Sequence, residues 1–285
     1  MFKVNDLLEN NITVKRKRIW ELDFVRGIIL ILVTFDHVGI FGYYWPTVEA
    51  PFIGASNVFG MWLRDFMYRY LDSSIRWAVE PTIIWMLVML SGVNCVFSRN
   101  HSRRAAEMLA LDIAIITLHS VVKIYAPDTL KGETLFNILT IFALSFTLWY
   151  FIDKFKVKNI YLIEAGLLLI AAGMYYYILH RTTLIGPQLT LAKEWDFLFF
   201  LVYNTNAYEI SFNNFEPLLP SLGFFLLGGV FGRKFYANRT SLFNIERPRF
   251  LRPVIWIGRH SLSIFLFGAF IVVAFMWFLS FIKIL

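Results

Sequence analysis

The stretch Ile19–Trp45 reads IWELDFVRGIILILVTFDHVGIFGYYW. Its centre is an unbroken apolar run, and ionisable residues stand on both sides of it: Asp23 and Arg26 before, Asp36 and His37 after. A helix needs ~20 predominantly apolar residues to cross ~30 Å of hydrocarbon, so the stretch predicts a membrane-crossing helix over 20–41. Working outward, six further segments meet the same criterion: 77–97, 105–124, 134–152, 159–179, 217–235 and 260–282. The expected fold is therefore an all-α integral membrane protein, a bundle of about seven transmembrane helices. The apolar stretch Trp195–Tyr203 is about half that length and predicts a short re-entrant or interfacial segment near 195–208.

Composition points the same way. Of 285 residues 58% are hydrophobic and 16% charged, against ~25% charged in a soluble domain. The formal charge of +7 does not mark a nucleic-acid binder, because the basic residues cluster in short runs between apolar segments. With the N-terminus inside, the pieces 1–18, 98–104, 153–158 and 233–259 hold 18 of the 27 Lys and Arg. That is the positive-inside pattern, and it favours seven spans with the C-terminus outside. The first 18 residues read as a cytoplasmic N-terminal segment without a signal peptide. No repeat or linker interrupts the chain, so residues 1–285 are expected to form a single domain. The lone Cys95 has no disulfide partner within the chain. Long outer loops at 42–76 and 180–216 are rich in aromatic residues. Such loops carry function, or serve as an interfacial aromatic belt.

The first helix carries a pattern. From Arg26 to His37 is 11 positions, which at 100° per residue is ~20° past three full turns, with ~16 Å of rise. Asp23 lies within ~60° of the same line. One stripe thus holds a cation near one membrane face and an imidazole near the other, as a long ligand lying along the membrane normal would require. Charged groups at this depth are costly and usually face the bundle interior. One reading has Arg26 hold an anionic ligand and His37 do acid–base work, suited by its ordinary pKa of ~6.5. The alternative is an Asp23–Arg26 pair that only fixes the helix end. Asp36 would orient His37 only if the helix unwinds at Gly39 and Gly42, since helical neighbours point ~100° apart.

The segment 105–124 carries a second stripe, Asp112, His119 and Lys123. It reads equally as an interior network or as structural hydrogen bonds between helices. Ser91–Gly92 predicts a close helix contact, with Asn94 nearby in a packing role. No small-xxx-small face stands out for a homodimer, although a homodimer is compatible with the sequence. Arg99, Arg103 and Arg104 form an inner basic run that either anchors topology or binds phosphate. The run from Arg247 to Arg259 offers the same choice. The five histidines are scattered without i, i+4 pairs, so no metal site is indicated.

Several blocks resemble a known family. Glu21-Leu22-Asp23-Phe24-Val25-Arg26-Gly27, with His37 following after ten intervening residues, resembles the first helix of the heparan-alpha-glucosaminide N-acetyltransferase-like bacterial family, within the transmembrane acyltransferases. Leu90-Ser91-Gly92 with the arginine run, Phe136–Leu139 with Ile141–Ser145, Phe215-Glu216-Pro217-Leu218-Leu219-Pro220 with Gly223–Gly232, and Ile257–Phe265 resemble later blocks in the same order. The departures are Gly268 and Thr140, where relatives often carry His, and an outer loop 42–76 without His. The resemblance implies a multi-pass protein of the bacterial inner membrane. It would transfer an acetyl group from cytoplasmic acetyl-CoA to an extracytoplasmic glycan or amino-sugar acceptor. It implies Arg26, Asp23, Arg99, Arg103, Arg104, Arg259 and His260 as donor-binding candidates. His37 and Asp36 are the catalytic candidates, and Asp112, His119, Lys123, Asn94 and Glu216 an interior polar or substrate network. Membrane lipids are the other partners implied, with no metal and no nucleic acid. A transporter of a small anionic or sugar-like solute, or a membrane scaffold, are the competing classes.

Overall fold

The computed structural model describes residues 19–44, 58–98, 100–125, 137–183, 218–243 and 248–281. These are helical, with no strand among them. The helices are α1 (Trp20–Tyr44), α2 (Val58–Leu71), α3 (Ser74–Cys95), α4 (His101–Tyr125), α5 (Ile138–Lys154), α6 (Asn159–Thr183), α7 (Leu218–Phe235), a 3-10 turn Arg249–Leu251, α8 (Arg252–Arg259) and α9 (Ser261–Phe281). Each of the seven apolar segments coincides with a helix: α1, α3, α4, α5, α6, α7 and α9. Two helices were not expected. α2 has only 14 residues and carries Arg64, Asp65 and Arg69, so no apolar run announces it. α8 begins on Arg252-Pro253 and has a polar face. The segment 195–208 lies outside the described residues.

Among the described residues, α3 and α7 are long and apolar enough to cross a membrane. They pack on each other through missing side chains. A Cβ on Gly92 would overlap the Phe225 carbonyl, and one on Gly228 the Met89 carbonyl. Gly228 and Gly232 are four apart and both face α3, so a small-xxx-small face does exist and is spent inside the fold. The same device brings α1 against α8, with Gly27 on the Val254 carbonyl and Gly258 on the Asp23 carbonyl. The main core forms where α3, α5 and α7 meet. Trp149 and Phe225 are fully buried with ring centroids 5.9 Å apart, and Phe146 joins them. Outside, large apolar residues stay exposed: Leu118 on α4, Leu168 on α6, and Phe267, Ile271, Phe275 and Phe278 on α9.

Charged contacts close one end of the bundle. Asp153, in the last turn of α5, takes Arg233 at 2.6 Å and His101 at 2.9 Å. Arg233 also donates to the Val157 carbonyl and lies 4.6 Å from the Trp149 ring. α4, α5, α6 and α7 thereby share one fastening at the end where the basic residues gather. Burial lowers the pKa of His101, with Arg104 and Arg233 acting in the same direction and Asp153 opposing.

α5 is shorter than the helix it packs on. It starts at the N-cap Asn137, whose side chain accepts from the Leu139 amide at 2.7 Å. Asp112, near the middle of α4, accepts from Asn137 Nδ2 at 2.7 Å and from the Thr140 hydroxyl at 2.6 Å. The first turn of a helix leaves unsatisfied N–H groups and a partial positive charge. A buried carboxylate and a capping box answer both.

Candidate functional site

A cavity of about 610 Å³ lies between α1, α3, α4, α5, the α8–α9 corner and the turn after α7. Its two ends differ in chemistry. At the basic end stand Asp23, Arg26, Asn94, Arg104, Arg239, Arg259 and Ser261; toward the middle of the bundle the lining is Leu30, Leu87, Leu139, Phe142 and Phe265. Four guanidinium groups face one carboxylate there, so the cavity offers a net positive charge to whatever enters. Its volume falls within the ~300–1,000 Å³ typical of small-molecule sites.

Each basic group is held by a different element. Arg26 donates to Asp23 and to the Gly258 carbonyl, both at 3.3 Å. Arg259 reaches the other oxygen of Asp23 at 3.3 Å. The close approach of Gly27 and Gly258 places α1 and α8 near enough for this shared carboxylate. Arg239 comes from the turn after α7 and holds φ 55°, the left-handed region that few non-glycine residues occupy. Its Nη2 donates to the Phe97 carbonyl at 2.7 Å, with the guanidinium 5.6 Å from the Phe97 ring. The turn itself is tied down by Glu21, buried on α1. Glu21 accepts the Leu242 amide at 2.8 Å and the Ser241 hydroxyl at 2.9 Å. Tyr236 beside it is pushed up to about 12 by burial, with Glu21 adding to the effect. Arg104 enters from the first turn of α4, one turn beyond His101.

Of the expected site residues, Asp23, Arg26, Arg104, Arg259 and Asn94 therefore meet in one cavity. Asn94 bonds back to its own helix at the Leu90 carbonyl, 2.6 Å away. Arg103 does not join them: it points to the surface and pairs with Glu107 at 2.7 Å. His260 is also exposed. Its Nδ1 donates to the Trp256 carbonyl at 2.9 Å, and its ring stands 4.5 Å from the indole. Asp112 belongs to the α4–α5 cap, and His119 is half-buried ~10 Å further along α4. Arg99, Glu216 and the side chain of Lys123 lie outside the described residues. Arg239 and its tether Glu21 were not singled out from sequence. Arg239 is one of several basic residues in a long loop, and nothing local marks it.

The far end of α1 corrects one expectation. The helix stays continuous through Gly39, so the unwinding that would turn Asp36 toward His37 does not occur. Asp36 instead pairs with Arg76 at 2.7 Å and accepts from the Tyr70 hydroxyl at 3.1 Å. Burial, followed by the Asp36 charge, pushes Tyr70 well above its ordinary range and keeps it a donor. Asp36 thus locks α1 to the α2–α3 corner. His37 Nδ1 lies 2.8 Å from the Val33 carbonyl. A carbonyl only accepts, so Nδ1 is the donor in this contact. Along the same face of α1 the order is Arg26, Leu30, Thr34 and His37. Gly268 of α9 sits against Thr34: its built Cβ would lie 3.4 Å from the Thr34 hydroxyl oxygen.

A family model described as heparan-alpha-glucosaminide N-acetyltransferase, catalytic, matches residues 57–270. The match covers α2 to the first half of α9 and begins beyond α1. No curated protein and no solved structure matches the chain.

Proposed function

We propose, for a chain that belongs to the heparan-alpha-glucosaminide N-acetyltransferase catalytic family, that it moves an acetyl group from acetyl-CoA at the basic end of the bundle to an amine or hydroxyl of a sugar at the other. The observation that carries this reading is the cavity. It is lined by arginines at one end and by apolar side chains toward the middle. A coenzyme A thioester has the same polarity: phosphates at one end, then a slender arm. Guanidinium groups bind phosphate oxygens through charge-assisted, often bidentate hydrogen bonds. In this reading Arg104, Arg239, Arg26 and Arg259 receive the phosphates. The arm runs past Leu30 and Phe265, and the thioester comes to rest near Thr34 and His37.

His37 then acts as general base. The acceptor nitrogen or oxygen attacks the thioester carbonyl carbon, forming the new C–N or C–O bond, and the acceptor proton passes to His37 Nε2. Collapse of the tetrahedral intermediate breaks the C–S bond, and His37 returns the proton to the departing thiolate. Such positioned acid–base help is worth ~10²–10⁴ in rate. Asp36 takes no proton in this scheme. Bound to Arg76 and Tyr70, it fixes the end of α1 that carries His37.

The placement in the membrane is part of the same proposal. The seven apolar helices cross the bilayer, lipid covers the exposed aliphatic and aromatic side chains, and the basic end faces the cytoplasm by the positive-inside rule. The protein would then be multi-pass in the plasma membrane. The test is acetyl transfer in proteoliposomes. Radiolabelled acetyl-CoA is supplied on the basic side and an amino sugar on the other, with His37→Ala and Arg104→Ala in parallel. Transfer lost in both variants is expected. Transfer that persists in His37→Ala would sink the catalytic assignment, and an absence of transfer in wild type to amine and hydroxyl acceptors alike would sink the reading as a whole.

A further inference from the structure

Among the described residues Asp23 is the only carboxylate in the cavity wall, and it is shared. Its two oxygens meet Arg26 and Arg259 at 3.3 Å each. Three ion pairs elsewhere in the fold are shorter, 2.6 Å for Arg233–Asp153 and 2.7 Å for Arg76–Asp36 and Arg103–Glu107, while Arg76–Glu80, where one guanidinium is again shared, is 3.4 Å. Charge-assisted N–H···O contacts normally settle at ~2.7–2.9 Å. One carboxylate divided between guanidiniums on two helices is therefore held loosely by both. Arg104 and Arg239, on the same cavity, have no carboxylate partner among the described residues. The site thus holds two kinds of cation: one pair open to an incoming anion, the other latched to an anion supplied by the chain.

We propose that Asp23 is a counter-ion latch, which keeps Arg26 and Arg259 paired in the empty site and yields them to the second anionic group of an incoming polyanion. This rests on the donor reading above and adds how the donor site is regulated. A diphosphate docks its first charged group on Arg104 and Arg239. Its next group competes with Asp23 for Arg26 and Arg259, and the two like charges left side by side repel. The latch therefore weakens binding of the polyanion, and the spent coenzyme leaves faster than four unopposed arginines would allow.

The experiment is calorimetric titration of the detergent-purified full chain with inorganic pyrophosphate and, separately, with coenzyme A. Wild type is compared with Asp23→Asn, Asp23→Ser and Asp23→Glu. Removing one unit charge beside a bound phosphate is expected to tighten pyrophosphate binding about tenfold or more in the two neutral variants, after allowance for screening. Asp23→Glu keeps the charge and should bind as wild type does. Equal or weaker pyrophosphate binding in whichever neutral variant folds, judged by its melting temperature, overturns the latch and leaves Asp23 as a fixture for the arginines. Tightening in Asp23→Glu as well overturns it too. If pyrophosphate binding tightens but coenzyme A binds to none of the proteins, the latch stands and the donor reading falls.

Discussion

Arg239 offers the sharpest test of how the cavity is built, because its position depends on a residue far away in sequence. Its guanidinium carries five N–H donors. One goes to the Phe97 carbonyl at 2.7 Å, and the side chain lines the cavity with the rest. A hydrogen bond to a charged partner contributes ~1.5–3 kcal/mol, and 1.4 kcal/mol is tenfold in an equilibrium constant. Arg239→Ala should therefore weaken acetyl-CoA binding by about 10- to 150-fold. Glu21 supplies the control. It does not touch the cavity, yet its carboxylate holds the Leu242 amide and the Ser241 hydroxyl at 2.8 and 2.9 Å. Glu21→Ala releases the turn that presents Arg239 and should lose most of the same binding. The two changes remove one interaction by two routes, so the double variant should be little worse than Arg239→Ala alone, a clear failure of additivity. The assay is calorimetry or equilibrium binding of labelled acetyl-CoA to the purified protein. Binding within twofold of wild type in a folded Arg239→Ala protein would refute the role given to this turn. Strictly additive losses would refute the coupling to Glu21.

Three further outcomes follow from the same geometry. Changing Arg76 to Gln leaves Asp36 and its charge buried with only Tyr70; loss of one partner from a buried pair costs ~3–5 kcal/mol, so a thermal-shift assay should show a large drop that Asp36→Asn with Arg76→Gln partly restores. Adding a side chain at Gly228, as in Gly228→Leu, drives it into the Met89 backbone and should separate α3 from α7, read as loss of the monodisperse peak in detergent size-exclusion chromatography. The third outcome concerns pH. His101 has its pKa lowered by folding, so near pH 6.5 the unfolded chain binds more protons than the native one and stability rises with pH. The contribution is present above about pH 6.5 and is lost as pH falls through the native value. Melting temperature should drop on acidification from pH 7.5 to 5.5, and His101→Gln should flatten that slope; an unchanged slope would remove His101 as its source.

Much of the fold was legible in the amino-acid order because long apolar helices are written locally. A run of ~20 apolar residues is its own signal, and all seven such runs turned into helices. Ser91–Gly92 was readable as a contact for the related reason that only small residues let backbones approach. The stripe from Asp23 and Arg26 to His37 was also readable, since a helix converts spacing directly into direction. α2 and α8 were not, because neither carries a long apolar run and both are held by tertiary packing. The family blocks from Leu90 onward fall inside the match over 57–270, and the first, in α1, lies before it.

The candidate site divides along the same line. Sequence alone placed a carboxylate and a cation on one turn of α1 and set a histidine above them. Only the tertiary structure decided that Asp23 is shared with Arg259, more than two hundred residues on, that Asp36 turns away to Arg76, and that Arg103 and His260 face outward while Arg104 faces in. It also brought in Arg239, fastened by Glu21 across almost the whole chain. The physical reason is that side-chain direction is fixed locally by the helix, whereas an ion pair or a cavity wall needs two surfaces brought within a few ångströms. Here the glycines of α1 and α8 set that distance, because a backbone with no side chain in the way lets two helices close on each other.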